Sequence, residues 1–391
     1  MESIKNIFKN NIRQYAMLIA LVVIMIFFQI ATDGILLVPM NVTNLVLQNS
    51  YVLILAIGMT LCILTGGNID LSVGSVCAFI GAVVGSFIIE KGMNVTTVII
   101  LALLIGAVIG IWQGFWIAYV RIPAFIVTLA GMLLFRGLTI KMLKGLTLSP
   151  FPESFQNISS GFVPDFFKSF GAKLNLTALL AGIIISVIYV VMEFKKRIEK
   201  QKYGFEVSSM ALFIAQLALV LGAINLFTYW LAAHKGIPIV LVLIGILILA
   251  YSFFTMKTVP GRYIYAMGGN EKAAKLSGIK TNKVLFLTYV NMSVLAAVAG
   301  IVSTARFNAA SPQNGQNFEL DAIAACFIGG ASAYGGVGTV VGAIIGALFM
   351  GVLNNGMSIL GVGSDMQMAI KGLVLLMAVA FDVLSKNKTK A

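Results

Sequence analysis

The sequence predicts an all-α fold: a polytopic transmembrane helical bundle of about 10–12 spans, with short or broken helices and a cytoplasmic coupling helix. Three observations carry that prediction. Of 391 residues, 59% are apolar and only 10% are charged, and the charged residues are confined to short gaps. Runs such as Leu101-Ala102-Leu103-Leu104-Ile105 and Leu373-Val374-Leu375-Leu376 are continuously apolar, where a membrane β-barrel would alternate. The 39 glycines suit helices that must approach closely, because hydrocarbon gives no hydrophobic drive for them to associate. The whole chain, 1–391, reads as one membrane domain.

Windows of about 20 residues place the helices in order. The first, 14–31, follows Lys5, Lys9 and Arg13; it is long, and no small-x-small cleavage site follows Ala31, so it reads as a retained helix and not a signal peptide. Then come 46–66, 71–90, 95–120 and 122–143, separated by short gaps. The segment 145–235 holds two more, 174–194 and 208–232, and the basic stretch Lys195 to Lys202. Next is 237–256, and a polar loop of 257–283 precedes 284–306. The last three are 320–335, which is short, 338–359 and 366–384.

Basic residues orient the chain. With twelve spans and an inside N-terminus, the inner segments collect Lys5, Lys9, Arg13, Arg121, Lys195, Lys196, Arg197, Lys200, Lys202, Lys257, Arg262, Lys272, Lys275, Lys280, Lys283, Lys386, Lys388 and Lys390, most of the 27. Both termini are therefore expected in the cytoplasm. The net charge of +13 reads as a topology signal and an attraction to anionic lipid; nucleic acid is not an expected partner, because no soluble basic domain exists. Arg136 and Lys371 fall inside spans, where an unpaired charge is costly, so each must snorkel, face a wet cavity or pair with an acid; a structural role is preferred for both.

The absences restrict the chemistry. Cys62, Cys77 and Cys326 lie in or beside spans without metal-ligand spacing and read as small packing residues. The single histidine, His234, sits in a short outer loop, so no Ser/His/Asp constellation forms and no catalytic residue or metal site is expected. Glu90, Glu193, Asp365 and Asp382 cluster at span ends, and the paired mid-membrane acids of an ion relay are not evident. The dipeptide Gly-Lys never occurs, which excludes a P-loop, so any ATP must be hydrolysed by another subunit.

Two ladders of glycines four apart, Gly106, Gly110, Gly114 and Gly338, Gly342, Gly346, each keep one helix face small, and each follows an acid at a helix start, Asp70 and Asp321. Two readings stand: an imperfect internal duplication, as in transporters built from rocking half-bundles, or the ordinary frequency of small-xxx-small motifs. In the loop 257–283, Pro260-Gly261 and Gly268-Gly269 punctuate the chain, Asn270 caps, Glu271 suits a positive first turn and Gly278 ends a short surface helix of 271–277. Ala273 and Ala274 are small enough to enter a partner's groove while Lys272 and Lys275 stay solvated; the plainer reading is a capped connector.

The run Thr65-Gly66-Gly67-Asn68-Ile69-Asp70-Leu71-Ser72-Val73-Gly74-Ser75 resembles the signature of the membrane permease subunits of bacterial monosaccharide ABC importers. Ile122 to Met132 with Phe135-Arg136-Gly137, Ala266 to Asn270 through Ser277-Gly278-Ile279, Leu320 to Gly330, and Asn354-Asn355-Gly356-Met357 are similar to further blocks of that family, together covering about residues 40–384. Asn68, the Phe-Arg-Gly and the segment 145–235, which shorter ribose-type permeases lack, make the chain most similar to the xylose and multiple-monosaccharide branch. The resemblance implies a multi-pass protein of the bacterial plasma (inner) membrane. It implies a second permease copy, two cytoplasmic ATPase subunits that carry the Mg-ATP, an extracytoplasmic sugar-binding protein, and no cofactor in this chain. It further implies an ATPase-docking surface at Gly268, Gly269, Asn270, Glu271, Ala273, Ala274, Leu276, Ser277 and Gly278. Candidates for the pathway are Asn68, Asp70, Ser72, Gln113, Asn291, Asn354 and Asn355, each with a second reading as an interhelical hydrogen bond. The alternative to an importer subunit is a self-contained secondary carrier or channel.

Overall fold

The computed structural model describes residues 12–168, 173–205, 207 and 209–390, with only the backbone described for 12–16 and 385–390. Lys5 and Lys9 lie outside the described residues. In chain order the helices are α1 (Ile12–Ala31), α2 (Pro39–Leu64), α3 (Val73–Gly85, continued by a π turn at Ser86–Glu90), α4 (Val95–Ala118) and α5 (Ala124–Leu143). Three follow in the 145–235 segment: α6 (Glu153–Ser160), α7 (Leu176–Lys202) and α8 (Met210–Ala232). The rest are α9 (Ile239–Lys257), α10 (Val259–Gly269), α11 (Glu271–Leu276), α12 (Thr281–Phe307), α13 (Phe318–Ile328), α14 (Val340–Ile359) and α15 (Ser364–Lys390). Among the described residues ten helices are long and apolar enough to cross a membrane, with the apolar part of α1, Met17–Ala31, beside them.

Two quartets, α2 to α5 and α12 to α15, organise the bundle by exchanging partners. Helix α12 packs on α2, α3 and α4; reciprocally, α2 packs on α12, α13 and α14, while α3 lies on α5 and α13 on α15. The chain directions are opposed. Cys77 faces Gly300, Gly81 faces Thr304 and Gly85 faces Ala310, so α3 runs parallel to α12. Gly58 lies against Met292 and Leu295, and Leu61 shares a cavity with Val284 and Thr288, so α2 runs antiparallel to α12.

The glycine ladders serve different neighbours within this arrangement. Gly106 meets Ala297, Gly110 meets Val290 and Gly114 meets Phe286, so the first ladder seats α4 on α12. Gly342 and Gly346 lie against the backbones of Gly329 and Ala325, seating α14 on α13. Gly338 departs from the expected ladder: its φ of +147° places it before the N-cap Thr339, outside the helix.

Burial grades outward from α2, whose most apolar stretch is 89% buried, against 11% for α7 and α8 and 6% for α15. Side chains on the outer helices face lipid, where exposed apolar groups such as Leu219 and Leu249 are at home. The hairpin α7–α8 packs chiefly on itself, with Gly182 against Thr228 and Asn225 Nδ2 donating to Ser186 Oγ at 2.9 Å. Its entry and exit are joined: Val163 N donates to Ile237 O and Ile239 N to Gly161 O, each at 2.9 Å.

Several expected boundaries change: α7 runs to Lys202 in place of 194, so the basic stretch Lys195 to Lys202 is helical, and three other changes show their cause. The span 46–66 begins seven residues earlier, at Pro39, because Thr43 and Asn49 return their side chains to the carbonyls of Pro39 and Leu45 and so cost the helix no unpaired polar group. The span 320–335 is a broken crossing: α13 stops at Ile328, and 329–339 continues as coil shielded by α2, α10 and α14. The loop 257–283 holds two helices, since Pro260 sits in the first turn of α10, where its missing N–H costs nothing, and Thr258 Oγ1 caps Gly261 N at 3.2 Å.

Candidate translocation site and docking face

One end of the bundle is assembled around α10 and α11. Asn270 Oδ1 accepts from Ala273 N at 3.0 Å, Glu271 occupies the first turn, and Gly278, at φ +86°, follows the last turn of α11. Glu271 Oε1 pairs with Arg121 Nη1 of the α4–α5 connection at 2.7 Å, and Arg121 also donates to Asn282 of α12. On the α10 side, Gly268 is pressed between the Leu64 carbonyl, where a Cβ would overlap, and the backbone of Gly336. Gly336 N donates to Leu64 O at 3.0 Å, and Tyr265 OH donates to Gly338 O at 2.8 Å. The pair α10–α11 therefore grips three parts of the bundle: the α4–α5 connection, the end of α2 and the coil before α14.

Two of the nine expected docking residues, Ala274 and Gly268, sit differently from the sequence reading. Ala274 is buried in the bundle and does not point outward, whereas Leu276 is 90% exposed. A six-residue helix is too short for its apolar pattern to declare a face, which is why the two alanines could not be told apart. Gly268 belongs to helix packing, while Gly269, Asn270, Ala273, Ser277 and Gly278 lie on the exposed side with Leu276.

The polar candidates divide into four groups, with Asn68 outside them. Asp70, Ser72 and Gln113 form one buried chain: Asp70 Oδ1 accepts from Ser72 N at 2.8 Å and from Ser72 Oγ at 2.6 Å. Ser72 Oγ accepts from Gln113 Nε2 at 2.6 Å, and Gln113 Oε1 accepts from Ser293 Oγ of α12 at 3.4 Å. Asn68 stands apart, donating to Thr65 Oγ1 at 3.2 Å. Asn355 exchanges amide hydrogen bonds with Asn41 at 2.9 and 3.1 Å, joining α14 to α2. Asn291 accepts from Tyr251 OH of α9 at the side of an open cavity.

The fourth group, around Asp321, was not legible as a group. Asp321 Oδ1 is 3.0 Å from Lys371 Nζ, Oδ2 accepts from Tyr51 OH at 3.2 Å, and Asn354 Nδ2 approaches Oδ2 at 3.5 Å. The Tyr51 ring stacks on Phe318 with centroids 3.6 Å apart. Three helices besides α13 thus converge on one carboxylate whose side chain is 2% exposed. Asp321 stands at a helix start, as expected, and is buried there because α13 starts inside the bundle. Lys371 takes the acid-paired option among those open to it. Among the described residues Arg136 has no carboxylate within ion-pair distance; its Nη1 donates to the carbonyls of Pro312 and Asn314 at 2.7 and 2.8 Å and fastens the segment that leads into α13.

Residues 41–379 match the family model described as branched-chain amino acid transport system / permease component. The chain belongs to this permease family. The xylose transport system permease protein of Haemophilus influenzae is 41% identical over 97% of this chain and 98% of its own length. The xylose transport system permease protein of Escherichia coli K12 is 37% identical over 97% of this chain and 94% of its own. The ribose import permease protein of E. coli K12 is 38% identical over 88% and 85%. No solved structure matches.

Proposed function

We propose that this permease is the membrane subunit of an ATP-driven monosaccharide importer, with α10–α11 as the element that a cytoplasmic ATPase moves. One observation carries the reading beyond family membership: an exposed leucine on a capped surface helix is tied by an ion pair and close backbone contacts to both quartets. Carrying a neutral sugar uphill requires about 1.4 kcal/mol per tenfold gradient, and Mg-ATP on the partner subunits supplies it. A push on α11 would pass through Glu271–Arg121 to the α4–α5 connection and through α10 to the end of α2 and the coil before α14. Both quartets would then tilt as rigid bodies, alternating the opening of the pathway.

Basic residues favour the α10–α11 face as cytoplasmic, with both termini on that side, and leave the opposite face to a sugar-binding protein. A second copy of the permease would complete the pathway. The xylose and ribose relatives make a pentose the first sugar to test. Arg121 and Glu271 are each 41% exposed, so their bridge contributes under about 1 kcal/mol to stability and serves mainly as a link.

Leu276→Asp tests the docking face. Co-expressed with the ATPase and binding protein of its own transport system, the variant is expected to insert normally and elute as a single species from detergent while losing the ATPase on co-purification. Undiminished ATPase recovery would overturn the assignment. In proteoliposomes the purified permease alone is expected to accumulate no xylose against a gradient; accumulation without ATP would favour the self-contained carrier.

A further inference from the structure

We propose that the groove between α9, α10 and α12 is a binding site for an anionic membrane lipid. The groove encloses about 780 Å³, within the roughly 300–1,000 Å³ of small-molecule sites. Leu61, Phe254, Ile264, Val284 and Leu287 supply apolar walls, and Lys280 and Lys283 stand where α12 begins. The Tyr251–Asn291 hydrogen bond joins α9 to α12 at the other end. Asn291 lies ten residues beyond Thr281, about 15 Å along α12 at 1.5 Å per residue, so the groove runs well into the apolar layer.

That depth selects the occupant. A soluble protein does not reach into hydrocarbon, whereas an acyl chain laid along Phe254 and Leu287 would bury its surface against theirs. Neither Lys280 nor Lys283 has a carboxylate partner among the described residues, so both ammonium groups stand ready for a phosphate at the headgroup level. Since Pro260, Tyr263 and Ile264 of α10 line the same groove, a bound lipid would touch the helix that leads into α11. The proposal requires the membrane placement of the chain and not its transport activity.

The test uses the full-length protein in detergent micelles, with phosphatidylglycerol carrying a photoreactive diazirine on one acyl chain and the matching phosphatidylcholine as control. Labelling is expected on peptides of α9 and α12 that contain Phe254 and Leu287, with phosphatidylglycerol well ahead of phosphatidylcholine. Lys280→Gln and Lys283→Gln should each lower it about fivefold, the equivalent of ~1 kcal/mol per basic group near an anionic surface. Both lysines are exposed, so these variants are expected to keep the elution profile of the parent; Leu287→Trp, on a half-exposed site, should block labelling by filling the groove. Equal labelling by the two lipids would reduce the groove to unselective solvation and overturn the proposal. So would efficient Leu287→Cys cross-linking between two copies in a phosphatidylglycerol bilayer, which would assign the groove to the second copy. No ATP, sugar or partner enters the measurement, so its failure is distinct from failure of the transport reading.

Discussion

The acids at the starts of α3 and α13 are both buried, yet the bundle accommodates them in opposite ways. Asp70 is held by its own chain: the amide and hydroxyl of Ser72 donate to it, and Gln113 and Ser293 extend the hydrogen bonds to α4 and α12 with no cation among these partners. Asp321 instead recruits Lys371 from α15, Tyr51 from α2 and Asn354 from α14. A buried carboxylate hydrogen-bonded within its own segment does not depend on a distant helix for its partners; one served by a remote ammonium does. Helix α15 is the least buried span, so Lys371 is a principal polar tie between it and the core.

The largest expected effect breaks the second arrangement. Lys371→Met leaves Asp321 as an uncompensated buried charge and should lower stability by about 3–5 kcal/mol, read as a large fall in the thermal midpoint of the detergent-solubilised protein. Adding Asp321→Asn should restore most of that loss, since a neutral amide no longer needs the ammonium. A double variant no more stable than Lys371→Met would show that the lysine matters for something other than charge. Gln113→Leu probes the first arrangement and should cost about 1 kcal/mol, the scale of interhelical hydrogen bonds in membranes. Smallest of all is Asp70→Asn, which keeps an acceptor for both Ser72 donors and should move stability by about 1 kcal/mol or less. A drop there as large as for Lys371→Met would erase the contrast between the two acids.

This contrast also marks where sequence reasoning stops. Span positions follow from apolar runs, and the cap of α11 follows from Asn270 and Glu271, because both signals are local. The broken crossing at 329–339 is not local: its coil is tolerable only because Leu64, Tyr265 and Gly268 close around it, and no window of residues 320–339 contains them. Likewise Lys371 reads as an isolated charge until a residue fifty positions away is placed beside it. The polar candidates were found by residue type, but their sorting into a serine–glutamine chain, an asparagine pair and an ion pair required the packing of α12, α14 and α15. Helix α10 was hidden for another reason: Pro260 and Gly261 look like breakers unless they fall in a first turn.

Two backbone hydrogen bonds, Val163 N to Ile237 O and Ile239 N to Gly161 O, close the base of the α7–α8 hairpin like a clasp. A stretch of chain whose two ends already touch can be excised or inserted without redirecting the path outside it, the packing of α8 on α2 being the contact given up. The hairpin is in that sense a detachable appendage, one that recombination can add to or strip from the transporting body while α2, α12 and their partners keep their places.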